Sequence, residues 1–239
     1  MIPENLKLTA EQIQSNWEQL MGIIEKNISS PRKEKLLKFY DRHATRIATM
    51  PASSIESNHS AFAGGYVYHV LNVIKCGLIE YQAWKKCGAM LDDFTKEELV
   101  FSLLNHDLGK MGNEDYEYYV PNPSEWHRKN QGKEYEINTL CSYMEVPDRS
   151  LFLLQQNGIS YSENEFFAIK LHDGMYADSN KSYYVNYHAN AKVRTNLVYI
   201  VSHADMMASR IEFNEWGFHN LEYMKNNKDI KEDTKEESK

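Results

Sequence analysis

Cysteine is scarce in this 239-residue chain, and its three copies, Cys76, Cys87 and Cys141, form no C-x-x-C pair and no even framework. That argues against a disulfide scaffold and predicts reduced thiols in a cytoplasmic protein. Positive charge is also short: 34 acidic side chains against 27 basic ones leave a net charge of −7. A protein whose main partner is a nucleic-acid backbone needs broad basic surface, so nucleic acid is not the expected partner. No apolar run reaches membrane-spanning length, and the first ten residues lack the cationic start and apolar core of a secretory leader. No membrane partner is expected. There is no internal repeat and no convincing series of strands.

The chain does contain helical periodicity. With 42 % hydrophobic and 12 % aromatic residues it can bury a sizeable core. Thr9 and Gln12 have capping-box spacing, followed by Ile13, Trp17, Leu20, Ile24 and Ile28 at helical intervals. Ser30-Pro31 opens a second helix that Pro51 ends, and a small-residue loop follows over Ala52–Gly65. Gly64-Gly65 opens a third helix, roughly Tyr66–Lys86, with His69 inside it. Thr95 and Glu98 cap a fourth, which ends at His106-Asp107.

Residues 111–126 read as a long irregular loop of the kind that often forms a lid. Helical pattern resumes after His127 through Tyr135, Ile137, Leu140 and Tyr143. A short helix follows Pro147-Asp148. Ser162 and Glu165 cap another, which ends at His172-Asp173-Gly174. Residues 177–189 read as a tyrosine-rich loop, and a last long helix spans about 191–213 and carries Asp205. From Lys225 the sequence reads as a charged, disordered tail. The expectation is an all-α fold in one domain over 1–224, with the tail at 225–239.

Four ionisable residues on these helices invite a common explanation. His69, His106, Asp107 and Asp205 each lie on, or at the end of, an apolar helix, a costly place for such a group without a partner. Successive helical residues point about 100° apart, so His106 and Asp107 converge only where the chain turns at a helix end. Imidazole nitrogen with carboxylate oxygen suits Zn, Mn, Fe, Co or Ni better than thiolate-loving metals.

Taken in order, Gly64-Gly65-Tyr66-Val67-Tyr68-His69, His106-Asp107-Leu108-Gly109-Lys110 and His203-Ala204-Asp205 resemble the HD family of metal-dependent phosphohydrolases. The likeness spans about Gly64 to Arg210. Residues 121–129 and 146–150 also resemble the HD proteins of large tailed phages. The resemblance implies a helical bundle with a central metal, an HD core over 64–213 and N-terminal helices over 1–50. It implies His69, His106, Asp107 and Asp205 as ligands of one divalent ion. His127, followed by Gly132, and His172 would help hold a second ion, for which Mg is an option. Asp173 stands where the family's element has a second histidine, and either ligates or orients His172.

Such ions acidify water for attack on phosphorus, with Asp107 as the natural bridge between two of them. Lys110 is the first candidate for holding phosphoryl charge. Arg128, Lys129 and Arg194 are further candidates for substrate contact, with Lys192 beside them. His203 is read as a supporting residue or pocket wall, since it points away from Asp205. His43, His59, His188 and His219 have no supporting context. The expected activity is hydrolysis of a small phosphate ester, a nucleotide above all. The alternatives are a 3′–5′ exonuclease-like phosphodiesterase and a non-catalytic nucleotide-binding module. Oligomeric state is open.

Overall fold

The computed structural model describes residues 7–188 and 191–236, with side chains as far as residue 217. It is mostly helical, in keeping with the periodicity. Helix α1 (Ala10–Asn27) starts at Thr9, whose hydroxyl accepts from the Gln12 N–H while the Gln12 side chain accepts from the Thr9 N–H. Helices α5 (Lys96–Asn105) and α8 (Glu163–Lys170) start with the same reciprocal bonds, Thr95 with Glu98 and Ser162 with Glu165. A cap of this kind contributes about 1 kcal/mol and sets where a helix begins.

Helix α4 (Gly65–Lys86) is the axis of the fold. It packs most extensively on α10 (Leu197–Glu236), and also meets α1, α3 (Ala44–Thr49) and α5. Its buried side chains Tyr66, Val67, His69, Val70, Val73 and Ile74 therefore face several neighbours. Helix α8 lies against α5 and α10. Helix α7 (Val146–Gln156) covers α8 and the 3-10 turn Leu108–Met111 that follows α5. Leu20, Tyr40, Phe101, Leu103 and Leu104 are fully buried among these helices. Each such side chain contributes roughly 1.5–3 kcal/mol, and the set offsets the cost of holding ionisable groups in the same interior. Among the described residues no helix is long and apolar enough to cross a membrane.

The structure departs from the sequence expectation in five places. The second helix is two, α2 (Arg32–Arg42) and α3, broken at His43, whose ring packs on Phe39 and reaches Glu114 at 3.2 Å. The segment after Met111 is not wholly irregular. It contains β1 (Tyr119–Pro121), paired antiparallel with β2 (Tyr135–Ile137), and the pair encloses α6 (Glu125–Gln131). No helix runs through Tyr135 to Tyr143, because α6 ends at Gly132 in the left-handed region with φ 61°. Leu140 and Tyr143 are exposed instead of lining a helix face. The loop from 177 contains a short helix α9 (Lys181–Tyr184), and residues 189–190 lie outside the described part.

Helix α10 begins at Leu197, six residues later than expected, so Lys192 and Arg194 precede it. Its backbone stays helical to Glu236, across the stretch from Lys225 read as a disordered tail; residues 237–239 lie outside the described part. Lysine and glutamate are good helix formers, so charge alone does not end a helix. Cys76, Cys87 and Cys141 are free thiols.

Candidate metal centre

Four elements bring ionisable side chains to one place. His69 comes from the first half of α4 and Asp205 from α10. His106 and Asp107 follow the last residue of α5, and His172 follows α8. His106 still has helical angles (φ −53°, ψ −45°), whereas Asp107 departs from them (φ −104°, ψ 11°) before the 3-10 turn begins. The chain thus turns between the two residues, as their convergence requires. Gly109 lets α7 close over this corner: a Cβ there would sit 2.2 Å from the Val146 carbonyl oxygen. Ser150 on α7 fastens it. Its oxygen accepts from the Gly109 N–H at 2.8 Å and faces the His106 carbonyl at 3.0 Å.

The three imidazoles are oriented alike. His106 Nδ1 lies 2.8 Å from the Leu103 carbonyl and His172 Nδ1 lies 2.8 Å from the Ile169 carbonyl. His69 Nδ1 lies 3.2 Å from Glu212 Oε1. Each partner accepts, so each Nδ1 donates, and each Nε2 is left to face the centre with a lone pair. His69 Nε2 is 3.1 Å from Asp205 Oδ1, and His106 Nε2 is 3.9 Å from the same oxygen. Asp107 divides its oxygens: Oδ2 is 3.5 Å from His106 Nε2 and 3.8 Å from His69 Nε2, and Oδ1 is 3.4 Å from His172 Nε2. Asp173 is nearly half exposed at the rim, 3.7 Å from His172 Nε2.

These residues fit a cation. Ligands of one transition-metal ion at about 2.0–2.2 Å lie at most ~4.4 Å apart, close to the observed separations. The donor atoms of His69, His106 and Asp205 all lie within 4.8 Å of one another, as do those of His106, Asp107 and His172, and of His172, Asp173 and Asp205. No hydrogen bond satisfies the buried Nε2 atoms of His69 and His106. A buried polar atom left this way costs about 1–3 kcal/mol unless something takes its lone pair. The buried His/Asp groups could therefore hold a metal ion.

The electrostatics agree. Burial pushes the His69 imidazolium down, but the Glu212 and Asp205 carboxylates outweigh it and raise the pKa to about 10. For His172 burial is outweighed by the Asp173 charge and the Asp107 bond, and the pKa rises to about 9. Burial raises the Asp107 carboxyl, yet the Lys110, His106 and His172 groups hold it well below the usual carboxylate range. Negative charge in this pocket draws protons where a cation is lacking.

Lys110 is partly buried, with Nζ 2.5 Å from Asp107 Oδ2. Burial lowers its pKa and the Asp107 charge lifts it above the ordinary lysine value. A cavity of about 370 Å³ opens beside the cluster, lined by Asp107, Lys110, His172 and Asp205 and also by Ile137 and Tyr143. The stretch expected to be a helix is thus a wall of the cavity.

Other expected residues lie elsewhere. His127 is in the first turn of α6, exposed beside Trp126 and outside the His/Asp clusters found among the described residues. Arg128 bonds the Asn122 carbonyl and Lys129 pairs with Glu125 at 2.5 Å. Arg194 is exposed ahead of α10. None of these three cations lines the cavity. His203 packs by Trp84, with ring centroids 6.0 Å apart, and neither orients a ligand nor lines the cavity.

Two residues at the cluster are not assigned to it by the sequence: Glu212 is not singled out there, and His59 has no supporting context. Glu212 is buried and takes three bonds, from His69, from Ser60 Oγ at 2.6 Å and from Asn72 Nδ2 at 2.9 Å. It stands seven residues after Asp205, two turns along the same face of α10, so the two carboxylates bracket the His69 ring; that spacing was the available signal. His59, from the loop before α4, lies with its ring 4.5 Å from that of His69. No periodicity marks it. No protein-family model, curated protein or solved structure matches this chain.

Proposed function

We propose that this protein is a metal-dependent phosphohydrolase of the HD type, acting on a small phosphate ester such as a nucleotide. The observation that carries the reading is the convergence of the Nε2 atoms of His69, His106 and His172 on the carboxylates of Asp107 and Asp205. The order His, His-Asp, Asp along the chain supports the family reading. The division of the two Asp107 oxygens between different imidazoles favours two ions, of Mn, Fe, Co, Ni or Zn, with Mg an option at the second.

A bound divalent ion supplies a Lewis acid that makes water nucleophilic at neutral pH and neutralises phosphoryl oxygen. The chain supplies the rest. Asp107 would hold both sides of the centre, and Leu103, Ile169 and Glu212 fix the ring orientations. Lys110 places an ammonium at the cavity wall, where it can accept charge that develops on phosphoryl oxygen.

The charge of the cavity narrows the substrate. Its described lining residues include the carboxylates of Asp107, Glu145, Asp173 and Asp205 and, as cation, Lys110. Two divalent ions would leave only a slight positive excess. That suits one phosphate group, as monoester or diester, and not the several adjacent charges of a triphosphate.

The test is metal analysis of the purified protein, followed by a panel of nucleoside monophosphates, cyclic and linear diesters and triphosphates with added Mn²⁺. The expected result is one to two ions per chain and turnover of a singly phosphorylated substrate. A chain that takes up no divalent ion, or that keeps full turnover with both His106→Ala and Asp107→Ala, overturns the proposal.

A further inference from the structure

The centre has one more imidazole than its three oriented ligands. His59 sits in the loop between α3 and α4, and several contacts hold that loop against the centre. The Ala52 N–H bonds the Ser60 carbonyl at 3.1 Å, and Ser60 itself is in the left-handed region at φ 45°. Gly65 admits the loop to the start of α4, since a Cβ there would sit 1.9 Å from Ser60 oxygen. Ser60 Oγ then donates to Glu212, the carboxylate that orients His69. The neighbour of Ser60 is thereby fixed over the His69 ring.

His59 Nε2 is buried and has no hydrogen-bond partner, as for His69 and His106. A donor atom of its ring lies within 4.8 Å of donor atoms of His69 and Asp107, the same limit met by the groups described above. Its side chain lines the cavity together with Asp107, Lys110 and Asp205. An ordinary core histidine would be expected to have its nitrogens satisfied by carbonyls or carboxylates. We propose that His59 is a further ligand of the centre, which donates a ring nitrogen to the ion nearest His69 and Asp107. The inference rests on the metal-binding reading above. It adds a ligand from outside the helical motif, and it gives a reason for the tight Gly64-Gly65 entry into α4.

The test uses Co²⁺ as probe on the full chain, with its visible spectrum and its affinity by calorimetry as readouts. The expected result is that His59→Ala binds Co²⁺ at least roughly tenfold more weakly, with an altered visible band, while His203→Ala matches the wild type. Added imidazole should restore the band in His59→Ala, a rescue that loop packing alone would not produce. His59→Gln, which retains a polar side chain, should fold like the wild type and show the same loss. Unchanged spectrum and affinity in both His59 variants would overturn the inference and leave the metal centre standing. No Co²⁺ uptake by the wild type would instead remove the centre itself, and this ligand with it.

Discussion

His106 and His172 on one side, and His127 on the other, show how position on a helix separates a buried candidate ligand from a surface residue. The first two follow the last turn of α5 and α8, where carbonyls lack intrahelical partners. Each bonds through Nδ1 to the carbonyl three residues back, which turns Nε2 inward. His127 occupies the first turn of α6, where its own N–H is satisfied by Ser124 Oγ and its ring meets that of Trp126 edge-on in solvent. All three have basic or acidic neighbours and a glycine a few residues on. A helix end pointed into the α4–α10 core buries an imidazole nitrogen among carboxylates, and the same residue type on a two-strand insert makes surface.

The largest test of that contrast is substitution on each side. His106→Ala and Asp107→Asn should weaken divalent-ion binding by about 100-fold or more and abolish ion-dependent turnover, with helical circular dichroism retained. His127→Ala should leave both within about twofold. A His127 variant as damaged as the His106 variant would break the comparison. Next comes Glu212→Gln. It leaves the ligands in place and removes the charge that orients His69, so ion affinity measured by calorimetry should fall about 10- to 100-fold.

The two regions should also differ in backbone tolerance. Gly109→Ala drives a Cβ into the Val146 carbonyl, and should cost about 3 kcal/mol by chemical denaturation. Gly132→Ala at φ 61° meets first the flexible Glu56 side chain, besides its own strain, and should cost about 1–2 kcal/mol.

Protons offer a smaller and more specific test. Metal-free protein at pH 7.5 should hold protons on His69, raised to about 10, and on His172, raised to about 9. Ion loading displaces them, so calorimetry in buffers of different ionisation enthalpy should count release of about two protons. Both folded pKa values are raised, so the stabilisation is complete below the unfolded value near 6.5. It is lost as pH rises towards 9 to 10. The melting temperature of the metal-free protein should fall through that window, and bound ion should remove the fall. Smallest of all, Lys129→Ala should change stability by less than about 0.5 kcal/mol, because its pair with Glu125 is exposed.

The all-α character and much of the candidate centre were legible beforehand because they depend on near neighbours. Thr9, Thr95 and Ser162 cap helices through contacts three residues long, and such contacts are visible as spacing. His106 and Asp107 advertise a turn because adjacent helical residues diverge. The insert is not legible in the sequence because its strands are three residues each, too short to show an alternation. Arg128 and Lys129 read as substrate contacts in the sequence because a cation beside a histidine looks the same whether its helix faces the core or water.

Apolar periodicity, helix caps and the turn at His106-Asp107 are local properties, so the chain's order of residues was enough to specify them. The meeting of Glu212 with His69, 143 residues apart, and of His59 with both His69 and Asp107, was not. Which remote side chains share a point depends on how α4, α10 and the loop ahead of α4 pack. That packing is set by the whole buried surface at once, and no stretch of neighbouring residues carries it.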